Sequence, residues 1–137
     1  MGYYFDQSNN IRSDLLDGKA KEKADSFVKK NHRDPTKIIQ RESLSSAQLR
    51  RFFGEFRQLE KRVNAIGFDK VKPLIKMVKS KASYAANPSN PKIPPSFKSF
   101  LSENVDNING KEDFEAFMLH FEAVVGFFYG IPGVSNR

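Results

Sequence analysis

LSSAQLRRFFGEFRQLEKRVNAIG, residues 44–67, carries a start signal, an apolar face and a stop signal in the order one helix requires. Ser45 stands at the cap position with Gln48 three residues on, the spacing of a capping box, in which each side chain reaches the other's backbone N–H. Leu44 and Leu49 sit where a hydrophobic staple closes around such a cap. Leu49, Phe52, Phe53, Phe56, Leu59, Val63 and Ile66 recur at three- and four-residue intervals and share one helical face. Gly67 follows the last of them, as a C-terminal stop should.

The pattern stays helical on the C-terminal side. A second helix is predicted from the Asp69–Pro73 region, because proline fits a first turn. Its apolar face is Val71, Leu74, Ile75, Val78, Ala82 and Ala85, and it ends at Asn87-Pro88, since a residue before proline avoids helical angles. The stretch NPSNPKIPPS holds four of the seven prolines and reads as a stiff loop. Phe97, Phe100, Leu101, Val105 and Ile108 predict a third helix ending at Asn109-Gly110. Phe114, Phe117, Met118, Phe121, Val124, Val125 and Phe128 predict another, stopping at Gly130. Glu112, Asp113 and Glu115 fall in its first turn, where they complement the helix dipole. Upstream, Leu15, Leu16, Ala24, Phe27 and Val28 allow a helix, diluted by Gly18 and six lysines in residues 19–37. No segment alternates with a period of two, so no strand is predicted. The expected fold is all-α, a compact helical bundle of about five helices. The whole chain, 1–137, reads as one helical domain, with 1–43 as a less ordered N-terminal part.

Composition narrows the function classes. At 137 residues the chain is the size of one domain, and its mixture of 39% hydrophobic and 28% charged residues is that of a globular protein. No apolar run approaches the ~20 residues of a membrane-spanning helix. The start MGYYFDQSNN lacks the basic and apolar regions of a secretory leader. A cytoplasmic location is expected. Cysteine is absent, which removes disulfides, thiolate metal sites and thiol nucleophiles.

Charge is localised. Residues 1–43 carry nine Lys/Arg against seven Asp/Glu, and residues 87–137 carry four against six. Residues 44–86 carry ten against Glu55, Glu60 and Asp69, so the net charge of +7 belongs to the middle third. A confined basic surface is the footprint of a polyanion binder, whereas a charge run is more commonly a solvated helix face. Helical geometry separates the two. With successive residues advancing about 100°, Arg50, Arg57 and Lys61 form a stripe opposite the apolar face of the first helix. Arg51 and Arg62 fall on a flank near Glu55, where local ion pairing is available to them. In the second helix Lys72, Lys76, Lys79 and Ser83 share one stripe, while Lys70 and Lys81 take the other flank. With three acids among ten bases, mutual salt bridges within this region cannot absorb the stripes. Arg50, Arg57 and Lys79 are expected to stand in solvent.

Phenylalanine, at 13 copies, suggests base stacking, but nearly every Phe in 52–128 lies on an apolar helical face and is assigned to the core. Binding is then to phosphates and sugars, with little sequence preference. Catalytic groupings are not found. His120 lacks a partner at metal-ligand spacing and reads as a satisfied or exposed histidine, and His32 lies beside Arg33 in a loop. Neither Gly67 nor Gly110 belongs to a phosphate-binding loop. The chain is expected to be no enzyme and to need no cofactor or metal.

Three blocks, LSSAQLRRFF (44–53), KSKASYAA (79–86) and FEAVVGFFYG (121–130), with EDFEAF before the last, resemble the small subunit of the type III-A CRISPR effector, the Csm complex. The resemblance covers residues 44–130, the small-subunit core, and leaves the N-terminal third outside. One departure is Asn87-Pro88, where the family often has a basic residue just after the block YAA-x. The resemblance implies an all-helical, non-catalytic subunit present in several copies beside the backbone and large subunits of a ribonucleoprotein. It also implies contact with the backbone of the CRISPR RNA and target RNA, in antiviral defence. Arg50 matches the basic residue of the first block, and Lys79 and Lys81 those of the second. Arg57, Lys61 and Lys76 are added from the stripe geometry. The last helix reads as a buried core helix, any surplus apolar surface being available to a neighbouring copy or subunit. The alternatives are the small subunit of a type III-B or type I effector and a protein-only scaffold docking an acidic partner. A membrane-surface helix is disfavoured, because the bases oppose a face that the core requires.

Overall fold

The computed structural model describes residues 2–134 and contains five α-helices: α1 Gly18–Ser26, α2 Ser46–Ile66, α3 Phe68–Ala85, α4 Pro95–Asp106 and α5 Lys111–Tyr129. Short 3-10 turns at Ser13–Leu16 and Gln40–Glu42 precede α1 and α2. Among the described residues, extended pairing is limited to the isolated bridges Phe5–Ile11 and Lys30–Ile38. The all-helical bundle is thus as the periodicity predicts.

Helix α2 begins as its sequence requires, with the Ser45 hydroxyl accepting the Gln48 N–H at 3.2 Å. The reciprocal half of the capping box is absent, and the buried Gln48 Oε1 has no partner among the described residues. Gly67, at φ +96°, ends α2 and turns the chain directly into α3. Helix α3 starts at Phe68, slightly before the predicted window, which places Pro73 in its second turn. There the proline removes the backbone bond to the Asp69 carbonyl, a defect that packing on α4 offsets. At the start of α5, Asp113 Oδ2 accepts the Asn109 and Gly110 N–H groups at 3.0 and 3.2 Å.

Helices α2 and α3 form an antiparallel hairpin; α4 packs on α3, and α5 packs on α1 and α2. The core is aromatic. Phe56 meets Phe117 edge-on at 4.8 Å between centroids, Phe100 meets Phe121 at 5.4 Å, and Phe27 meets Phe97 at 5.0 Å. Such pairs contribute about 0.5–1.5 kcal/mol each beyond their burial. Within 52–128, Phe53 and Phe127 are half-buried and every other Phe is buried, in keeping with the assignment to core.

The N-terminal third shares this core, through buried Tyr4, Leu15, Ala20, Ala24 and Phe27. The Tyr4 hydroxyl donates to Asn104 Oδ1 at 2.8 Å, a hundred residues away on α4. Its burial pushes that hydroxyl far above the usual tyrosine range, so it remains a donor. His120 is 1% exposed, and its Nδ1–H donates to the Leu15 carbonyl. It is the satisfied histidine of the two sequence readings.

Candidate nucleic-acid interface

The α2–α3 hairpin presents its bases on three different surfaces. One edge faces α5. There the Arg50 guanidinium donates to the Tyr129 hydroxyl at 3.2 Å. Arg57 donates to Glu60 at 3.0 Å and to Glu122 of α5 at 3.2 Å, while its guanidinium carbon lies 4.7 Å from the Phe53 ring centroid. These carboxylates hold its pKa above the ordinary arginine value in spite of partial burial. Lys61 lies on the same stripe, exposed and with no partner among the described residues.

The opposite edge faces α4. Lys79 is hydrogen-bonded to Asp106. Lys76 donates to the Val105 and Ile108 carbonyls at 2.7 and 2.8 Å and so caps the C-terminal end of α4. Burial, and after it the neighbouring Lys72 charge, lower the Lys76 pKa.

Arg50 is exposed, as expected, whereas Arg57 and Lys79 are half-buried, and all three have protein partners. Counting acids within residues 44–86 missed their partners, because Glu122, Asp106 and Tyr129 arrive from other helices. The surmise about Glu55 is also corrected. Glu55 pairs with Lys81 across the hairpin and not with Arg51 or Arg62 on its own helix.

Between the two edges runs a shallow outer groove. Arg51, Glu55, Gln58 and Arg62 of α2 form one wall, and Met77, Lys81 and Tyr84 of α3 the other. At its far end it continues past Lys92 to Arg41 and the proline loop at Pro91–Pro95. Arg51 and Arg62 are separated by about 16 Å along the helix, a span of several nucleotides. Arg41, Arg51, Arg62 and Lys92 are exposed, and their side chains have no hydrogen-bond or ion-pair partner among the described residues. Of the six residues singled out from sequence, Lys81 alone lines this groove. Arg50 and Arg57 stand on the α5 edge with Lys61 on their stripe, and Lys76 and Lys79 stand on the α4 edge.

The signal for the groove lies in the two flanks, Arg51 and Arg62 beside Glu55 on α2 and Lys70 with Lys81 on α3. Lys70, Leu74, Met77, Lys81 and Tyr84 recur at helical spacing, and Arg51, Glu55, Gln58 and Arg62 do likewise. Exposure of α5 is of the other sign: Glu112, Glu115 and Glu122 lie on its outer face with Leu119. The exposed carboxylates of α5 thus contrast in sign with the cations of the groove. Among the described residues no group of three or more His, Asp or Glu could hold a metal ion, and no helix is long and apolar enough to cross a membrane.

No curated protein and no solved structure matches the chain. A family model described as Csm2 Type III-A matches residues 21–130, reaching well upstream of the 44–130 span covered by the sequence resemblance and taking in most of α1. With most of its length matched, and with the all-helical fold described above, the chain belongs to the Csm2 family, the small subunit of the type III-A Csm complex.

Proposed function

We propose that this chain is a non-catalytic subunit of the effector and that it lays the α2–α3 groove against the backbone of the guide and target RNA. The observation that carries the reading is the set of unpartnered cations along the groove, Arg41, Arg51, Arg62 and Lys92. A charge without a protein counterion is balanced by solvent ions, and phosphates that replace those ions gain their release. Such a surface is blind to sequence, as guide-directed recognition requires, because base pairing supplies the sequence information. Lys81 lines the same surface, and the exposed Lys61 on the α5 edge adds a further cation beside it. Arg50, Arg57, Lys76 and Lys79 hold the hairpin against α5 and α4 and keep the groove in shape. Backbone and large subunits of the complex, and other copies of this chain, are the proposed protein partners, in the cytoplasm.

The test is RNA binding by fluorescence anisotropy over a salt series, with wild type beside Arg51→Glu/Arg62→Glu. Wild-type affinity should fall with salt, with a log–log slope of roughly −0.7 to −0.9 per neutralised phosphate. The variant should bind more weakly and with a slope shallower by about 1.4 to 1.8. Equal binding by both proteins would remove the groove from the RNA path.

A further inference from the structure

Tyr84 is 76% exposed, on a helix whose other large apolar residues, apart from Met77, are at least half-buried. Packing does not explain it. It stands over a depression of about 360 Å³ in the groove, within the size range of small-ligand pockets. Phe52 and Ala85 give that depression an apolar floor, and both are buried. Arg51 and Lys92 stand at its rim without partners among the described residues. Glu55, the acid of this depression, is neutralised by Lys81, so it does not repel an approaching anion.

An aromatic face, an apolar floor and two flanking cations are the parts that hold a nucleotide: the ring takes the base, and the cations take the phosphates. We infer that this depression receives one unpaired nucleobase stacked on Tyr84, with its flanking phosphates on Arg51 and Lys92. The inference rests on the RNA-binding reading and narrows it from RNA in general to a single-stranded nucleotide. A base inside a duplex has both faces covered by its neighbours; an unpaired base offers one to an aromatic side chain. Stacking is tolerant of sequence, because every base has a π-face. The groove thus reads strandedness, which phosphate contacts alone do not.

The experiment uses the full chain with a single-stranded RNA oligonucleotide carrying 2-aminopurine, and with the same strand in a duplex. Binding to wild type should change the 2-aminopurine emission of the single strand. Tyr84→Ala should weaken single-strand binding about tenfold or more and abolish the emission change, while duplex affinity stays constant. Tyr84→Phe should keep both properties, since the ring and not the hydroxyl is the platform. Because Tyr84 is exposed, the helical circular dichroism of both variants should match wild type. If the single strand binds with steep salt dependence but Tyr84→Ala alters neither affinity nor emission, stacking is overturned and the phosphate reading stands. If neither RNA binds wild type, both fall, and the groove is a surface for a protein.

Discussion

Arg57 of α2 and Glu122 of α5 are 65 residues apart in the chain, and their side chains meet at 3.2 Å. With Glu60 and the Phe53 ring they anchor one edge of the hairpin to α5. A half-exposed pair of this kind contributes little, about 0.2–1 kcal/mol. Arg57→Ala should lower the free energy of unfolding in urea by an amount in that range and leave RNA affinity closer to wild type than Arg51→Glu does. Reversing Arg50, Arg57 and Lys79 together to Glu is a harsher change. It sets new carboxylates against Glu60, Glu122 and Asp106, so helical circular dichroism should melt at a lower temperature than in wild type. An unaltered melt would mean that these contacts do not form in solution.

The Lys76 ammonium is spent on backbone. Lys76→Met keeps the aliphatic stem and leaves the Val105 and Ile108 carbonyls without that donor. Hydrogen bonds from a charged donor contribute about 1.5–3 kcal/mol, and a loss of that size is expected by chemical denaturation. Faster amide exchange in α4 than elsewhere would locate the loss. If Lys76→Met instead preserves stability and weakens RNA binding, the residue belongs to the interface.

His120 sets a dependence on pH. Burial lowers its pKa from the ordinary value of 6.5, only partly opposed by the bond to the Leu15 carbonyl. Below about 6.5 the unfolded chain takes up a proton that the folded chain refuses, so the unfolded state is favoured. Stability is fully present above that pH and falls as the pH drops through 6.5 toward the lower folded value. The denaturation midpoint of wild type should therefore drop between pH 7.5 and pH 5.5, and His120→Gln should make the slope shallower. Parallel slopes for both proteins would assign the effect to other groups.

Tyr4 ties the first residues of the chain to α4. Tyr4→Phe removes the donor to Asn104 while keeping the buried ring, and should cost about 1–2 kcal/mol by urea unfolding. A single transition, shifted as a whole, is expected if the N-terminal third and the bundle unfold together. Two separated transitions would show residues 1–43 to be an independent layer.

The helices were legible because their causes are local. Ser45 caps its own helix, Gly67 supplies positive φ where α2 stops, and the phenylalanines of α4 and α5 repeat at the period of the helix. The proline loop and the acids at the start of α5 are equally short-range signals. The N-terminal third was less legible, because α1 has little apolar surface of its own. Its burial depends on Leu15, Ala20 and Ala24 meeting α5, which its own periodicity does not reveal. The start of α3 at Phe68 falls one residue before the predicted window and leaves Pro73 in the second turn, where packing on α4 offsets the preference of proline for a first turn.

The balance of charge, the absence of cysteine and the amphipathic faces were fixed before the chain folded, and with them an all-helical protein with a basic middle third. Which bases are spent within the molecule was settled only when α4 and α5 came to lie along the two edges of the hairpin. A helical stripe records direction around one axis, and nothing in it records what the neighbouring axis carries. Hence the stripe of Arg50 and Arg57 meets Tyr129 and Glu122, Lys79 meets Asp106, and Arg51 and Arg62, set aside as locally paired, are left to face solvent. Coulomb energy falls with distance in space and not along the sequence, so the partner of each charge is a tertiary fact.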